Sequence, residues 1–169
     1  TNVINELRED IKEADILVIN DCSTDNTPKI LEEMKVNYIT TPFNLRYAGG
    51  VQTGFKYALA KGYKYVAQFD GDGQHVASEL NKMFQKMKED DVDITILDKT
   101  MVGTIVQEKA EVGYYDQSQK IIKIACSKEI TDPTSGLQIL SKRVYTRYAK
   151  INNYPEYPDA NLIIEMLMQ

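Results

Sequence analysis

Apolar residues recur along this chain in two alternating rhythms. Val3, Ile4, Leu7 and Ile11 return at helical spacing, which predicts an amphipathic helix over residues 2–13, with Thr1-Asn2 as its cap. A short apolar run from Asp15 to Asn20 has the length and β-branched content of a buried strand. Thr27-Pro28 reads as a helix start, a capping hydroxyl followed by proline at the first helical position, and that helix extends to Lys35. Val36 to Thr40 is a strand stopped by Pro42, and Gly50 to Ala60 is a helix closed by Gly62. Tyr63 to Phe69 is a strand. Ala77 to Glu89 is a helix with Leu80, Met83, Phe84 and Met87 on one face, and Val92 to Leu97 is a further strand.

Residues 98–112 carry no periodicity and predict a mobile loop. Tyr114 to Ser127 reads as helix, Gly136 to Leu140 as a strand or bend, and Arg143 to Lys150 and Asp159 to Met168 as helices. This alternation with short links predicts an α/β domain, a mostly parallel sheet with helices on both faces. The candidate site loops follow strands in this scheme, so they gather along one sheet edge. Tyr63, Tyr65, Tyr145 and Tyr148 fall at core spacing and read as packing residues. Tyr154-Pro155-Glu156-Tyr157-Pro158 reads as an extended linker.

Composition narrows the class. A chain of 169 residues, 43% of them hydrophobic, suits one domain with a proper core. A net charge of −5 argues against general nucleic-acid binding, which wants a basic face. Cys22 and Cys126 are too few to staple a fold, so a reduced, intracellular protein is the simplest expectation. No stretch approaches the roughly 20 apolar residues that span a bilayer, and none reads as a signal peptide. The expected place is the cytoplasm, with peripheral association at the inner membrane face and homo-oligomerisation left open.

Chemistry enters where strands break into polar loops. Gln68-Phe69-Asp70-Gly71-Asp72-Gly73-Gln74-His75 puts two carboxylates at a strand end. Side chains at i and i+2 of an extended segment point the same way, so Asp70 and Asp72 can reach one hard cation. The glycines let a diphosphate approach the backbone. A plain Asp-Gly turn is the competing account. His75, the single histidine, reads as a packed or solvated side chain rather than a ligand. Ile16-Leu17-Val18-Ile19-Asn20-Asp21 ends in a second polar loop, in which Ser23 to Thr27 read as turn and cap residues. Asp21, on a surface loop, would bear replacement by alanine without harm to the fold. Asn44-Leu45-Arg46-Tyr47-Ala48-Gly49-Gly50 opens a helix whose amides favour an anion. Asp132-Pro133-Thr134-Ser135-Gly136 places a further carboxylate before an apolar segment, or else forms an Asx-Pro turn.

Taken in this order, the segments resemble family 2 glycosyltransferases of the GT-A fold. The nearest branch moves a sugar from a nucleotide diphosphate to a polyprenyl phosphate, as dolichyl-phosphate mannosyltransferases do. The resemblance spans roughly residues 1–145, and each motif is weak alone while the combination is specific. It makes Asp70 and Asp72 the Asp-x-Asp motif. Asp72 is then the direct ligand of Mg²⁺ or Mn²⁺, with Gln74 in reach of the same ion, and Asp70 holds the ribose or meets the metal through water. It aligns Asp21 with the nucleotide-binding aspartate. Arg46 stands where relatives often have glycine, and it reaches the base or diphosphate or faces solvent. Asp132 becomes the candidate general base.

The implied activity is inverting, metal-dependent transfer from a nucleotide sugar to a lipid phosphate or glycan acceptor, in glycolipid or cell-envelope polysaccharide synthesis. A nucleotidyltransferase and a non-catalytic nucleotide-sugar-binding domain are the alternatives. Three departures stand out. Relatives continue Ser-Gly-Phe-Arg where this chain has Leu137-Gln138, and Leu97-Asp98-Lys99 replaces their Gly-Ser-Arg. Relatives also place a strand, ending in a Pro-x-Tyr-Asn-Glu-like loop, before the first helix. Residues 1–169 therefore read as a single glycosyltransferase domain lacking its first strand, part of a longer chain.

Overall fold

Four-residue strands alternate with helices in the computed structural model, which describes residues 2–97, 105–108 and 136–152. The elements are α1 (Asn2–Asp10), β1 (Leu17–Asn20), α2 (Thr27–Glu33), β2 (Asn37–Thr40), α3 (Arg46–Lys61) and β3 (Tyr65–Gln68). They continue with α4 (Ala77–Glu89), β4 (Ile94–Leu97), β5 (Ile105–Glu108), β6 (Gln138–Ser141) and α5 (Lys142–Lys150). The helices expected at Tyr114 to Ser127 and Asp159 to Met168, and the extended segment Tyr154 to Pro158, lie outside the described residues. No helix among the described residues is long and apolar enough to cross a membrane.

The strands form two sheets. β1 and β2 pair in parallel, and the second sheet runs in the order β3-β6-β4-β5. Every ladder of that second sheet is antiparallel. The parallel pairing expected from the β–α alternation is thus found between β1 and β2. β3 and β4 do point the same way, but β6 lies between them and runs against both. Periodicity reports burial and not strand neighbours, so the insertion of β6 was invisible in the pattern.

Alternation along the strands divides the core between two faces. Val66, Ile94, Ile96 and Leu140 face α3 and α5, where they meet Phe55, Tyr145 and Tyr148. Leu137 and Ile139 face Leu80, Met83 and Met87 of α4, with Leu7 and Ile11 from the α1 segment alongside. Helices therefore cover both faces, as expected. Ile4, Leu31 and Val36 form a third cluster with Ile16 and Val18 of the β1 segment.

Two long side chains tie elements together by satisfying helix ends, whose last carbonyls lack intrahelical donors. Buried Gln52 of α3 donates from Nε2 to the carbonyls of Tyr148 and Ile151, at 3.1 and 2.9 Å, closing α5. Arg8 of α1 donates to the carbonyls of Met34 and Lys35 just past α2, at 2.8 and 3.1 Å.

Several boundaries differ from expectation for local reasons. α3 starts at Arg46, ahead of Gly50, because Asn44 Oδ1 accepts the Arg46 amide at 2.9 Å and opens the helix. Gly49 and Gly50 are poor helix formers, which is why the segment read as loop. Asp25, not Thr27, supports the start of α2: its Oδ1 accepts the Thr27 amide at 2.9 Å. β5 falls within the span expected to be a loop, and its signal is its ladder with β4, not a periodicity. Tyr145 and Tyr148 are core residues, whereas Tyr65 is 39% exposed and lies edge-on to Phe84.

Candidate functional site

β3 ends at Gln68 and delivers Asp70 inward. The Asp70 side chain is 32% exposed, and its Oδ2 lies 3.7 Å from Nε2 of buried His75. The His75 ring stands edge-on to Phe69, with centroids 5.6 Å apart. His75 is therefore a packed residue bordering the Asp70 carboxylate. On another side, Asp70 lies against Gly136, two residues before β6.

Asp72 and Gln74 face solvent. Asp72 Oδ1 accepts the Gln74 amide at 2.9 Å, and Gly73 turns with φ 82°. That is an Asx-turn, so the chain bends after Asp70 rather than running on extended. The i, i+2 rule therefore does not govern this pair: Asp70 looks toward His75 and Gly136, while Asp72 sits in the exposed turn. Gly71, Asp72 and Gly73 line an open recess of about 340 Å³ together with Asn2 and Val3.

Among the described residues, no three His, Cys, Asp or Glu side chains come together as a metal cage. Asp70, Asp72 and Gln74 of the acidic loop offer a cation oxygen donors. Such a set fits a hard ion that keeps water and shares phosphate oxygens, and not a metal that seeks thiolate.

Asp21 follows β1, at a tight turn where Cys22 adopts φ 56° and its amide reaches the Asn20 carbonyl at 2.9 Å. Its Oδ1 accepts from the Leu45 amide and from the Thr41 hydroxyl, both at 2.7 Å. Thr41 is buried, and Leu45 is the residue that caps α3. Asp21 is thus no loose surface acceptor but a clamp on the loop that opens α3. The expectation that Asp21 has no buried partner is corrected by Thr41. Asp21→Ala should cost on the order of 1.5–3 kcal/mol of stability, the worth of hydrogen bonds to a charged group. Urea unfolding measures this, and an unchanged midpoint would show that the clamp contributes nothing net.

The same contacts revise the anion site expected over Asn44 to Gly50. The Leu45 amide is taken by Asp21 and the Arg46 amide by Asn44, so two of its donors are already used. Arg46 is exposed and holds φ 59°, a left-handed conformation unfavourable to any residue with a Cβ. Glycine would suit that backbone better than arginine does.

Tyr47, in the first turn of α3, accepts from Gln68 Nε2 at 2.6 Å, and Gln138 Nε2 donates to Gln68 Oε1 at 3.3 Å. This chain of polar groups joins α3, β3 and β6 beside Asp70, and the sequence reasoning missed it. Alternation within β3 and β6 was the available signal, since Gln68 and Gln138 are directly opposed in register. Gln138 is 7% exposed and engaged, so it is part of the sheet.

Asp132 lies outside the described residues, as do Pro133 to Ser135. Gly136 is described, and its contact brings the end of that segment to Asp70. The segment precedes its strand instead of following one. Gly136 stands at the carboxyl edge of β3 and β4 because β6 runs antiparallel to both.

The family model described as Glycosyl transferase family 2 matches residues 1–148. The chain is 25% identical over 190 aligned positions to a UDP-N-acetylglucosamine–dolichyl-phosphate N-acetylglucosaminyltransferase of Methanococcus voltae, covering 96% of this chain and 73% of the relative. It is 26% identical over 96 positions to an undecaprenyl-phosphate mannosyltransferase of Micrococcus luteus, covering 54% and 40%. An uncharacterized protein of Methanocaldococcus jannaschii is 34% identical over 100 positions, covering 54% and 44%. The match thus spans less than half the length of two of these relatives.

Proposed function

The chain belongs to glycosyl transferase family 2, and from that premise we propose that it moves a sugar from a nucleotide diphosphate to a lipid-phosphate acceptor. The observation that carries this is the meeting of Asp70, on the acidic loop, with Gly136, at the end of the Asp-Pro-Thr-Ser-Gly segment. Asp70 and Gly136, far apart in sequence, meet at one sheet edge. The names of two relatives, which act on dolichyl and undecaprenyl phosphates, support the acceptor class.

In the proposed reaction the bond between the sugar anomeric carbon and the diphosphate breaks. A bond from that carbon to the acceptor oxygen forms on the opposite face, with inversion, and the nucleoside diphosphate leaves. Asp72 and Gln74 would hold Mg²⁺ or Mn²⁺, and Asp70 would hold the ribose or assist at the ion. When bound, the ion neutralises charge on the leaving diphosphate. Asp21, already anchoring the start of α3, accepts from the base or ribose, and exposed Arg46 reaches toward the donor. Asp132 takes the proton of a hydroxyl acceptor; with an already ionised phosphate it orients the acceptor instead.

Mn²⁺ should therefore strengthen binding of UDP or GDP in calorimetry, and Asp72→Asn should remove that gain, since an amide replaces a charged ligand poorly. Equal nucleotide affinity with and without Mn²⁺ would sink the metal-dependent reading. Transfer assays with polyprenyl phosphates and glycans would separate the acceptor classes.

A further inference from the structure

Gly136 does not adopt the positive φ that reserves a position for glycine; among described glycines, that holds for Gly62 and Gly73. What Gly136 lacks is room. A Cβ built there would overlap the Asp70 carboxylate, coming within 2.9 Å of even the farther oxygen. The volume a side chain would fill is taken by Asp70 itself. Buried His75 borders the same carboxylate, with Nε2 3.7 Å from Oδ2. His75 in turn is backed by Phe69. The carboxylate thus sits between a packed imidazole and a bare backbone.

We infer that Gly136 is a positioning residue: the absence of its side chain sets where the Asp70 carboxylate stands, and through Asp70 it sets nucleotide affinity. The inference rests on the proposed role of Asp70 in holding the donor. It has a consequence that a merely structural glycine would not have. A methyl group at 136 meets the end of a side chain that can swing aside, so the fold yields cheaply while the carboxylate leaves its place. Its effect should vanish when Asp70 has no carboxylate to displace.

The test is a double-mutant cycle on the purified protein, read by calorimetry with UDP and GDP in the presence of Mn²⁺, beside thermal melting. Gly136→Ala should weaken nucleotide binding about ten- to a hundredfold, as loss of a charge-assisted contact does, while melting near the wild-type temperature. Asp70→Ala should weaken binding similarly, and the double variant should be no weaker than Asp70→Ala. Wild-type affinity in Gly136→Ala beside a weak Asp70→Ala overturns the inference alone, and so do losses that multiply in the double variant. Wild-type affinity in Asp70→Ala overturns Asp70's place in the donor site, and the inference with it. If Gly136→Ala fails to fold, the double variant should fold because the overlap is gone. A double variant that also fails marks a backbone defect and overturns the inference.

Discussion

Asp132→Asn is expected to slow sugar transfer about 10²–10⁴-fold, the usual contribution of a general base, with nucleotide affinity unchanged. The expectation joins sequence to topology. Asp132 lies four residues before Gly136. Gly136 touches Asp70, and β6 runs antiparallel to β3, so Gly136 stands at the edge where the acidic loop sits. An asparagine keeps the side chain's size and its capacity for a turn but cannot accept the acceptor's proton. Turnover at saturating donor, with donor affinity measured separately, distinguishes lost chemistry from lost binding. A phosphate acceptor needs no deprotonation, so the loss should then be smaller. Near-normal turnover would leave Asp132 as a turn residue and move the base elsewhere.

Leu140→Ala should cost about 2–5 kcal/mol, the range for emptying a buried leucine site, against a total stability on the order of 5–15 kcal/mol. Leu140 is fully buried in β6, opposite Val66 of β3 and Ile94 of β4. It packs in the same cluster as Phe55, Val144 and Tyr145, so elements on several sides would have to collapse to fill the space. Urea unfolding should show a lower midpoint with an unchanged slope, the mark of lost stability without a changed unfolded state. A cost below about 1 kcal/mol would mean that the cluster closes over the vacancy more easily than its dense packing suggests.

Much of this was legible because local signals were strong. Leu80, Met83 and Met87 announce the buried face of α4 by spacing alone, and all three are buried. Gly62 ends α3 in the left-handed conformation that its position after Ala60 and Lys61 suggests. The acidic loop could be located, yet its shape could not. Whether Asp72 continues a strand or closes an Asx-turn depends on which acceptor its neighbour's amide finds, and the two share a sequence. Asp21 was legible as a carboxylate at a strand end, but its partners Thr41 and Leu45 come from another element. The order of strands was the least legible feature. β6 looks like any short apolar run, and only packing decides that it separates β3 from β4.

That placement has a consequence for the order of events during synthesis. β3 and β4 leave the ribosome well before β6, yet β6 is the strand that supplies both with a partner. Until Ser141 has emerged, neither can complete its native ladder with β6, and Leu140 is not there to fill the core between Phe55 and Ile94. Pairings this distant in sequence form slowly, because the intervening chain must first be closed into a loop. Unpaired strand edges on a partly made chain are also the surfaces through which such chains aggregate. The nascent protein is therefore most vulnerable over the interval between β4 and β6, when four of the five described helices are made and β6 is not.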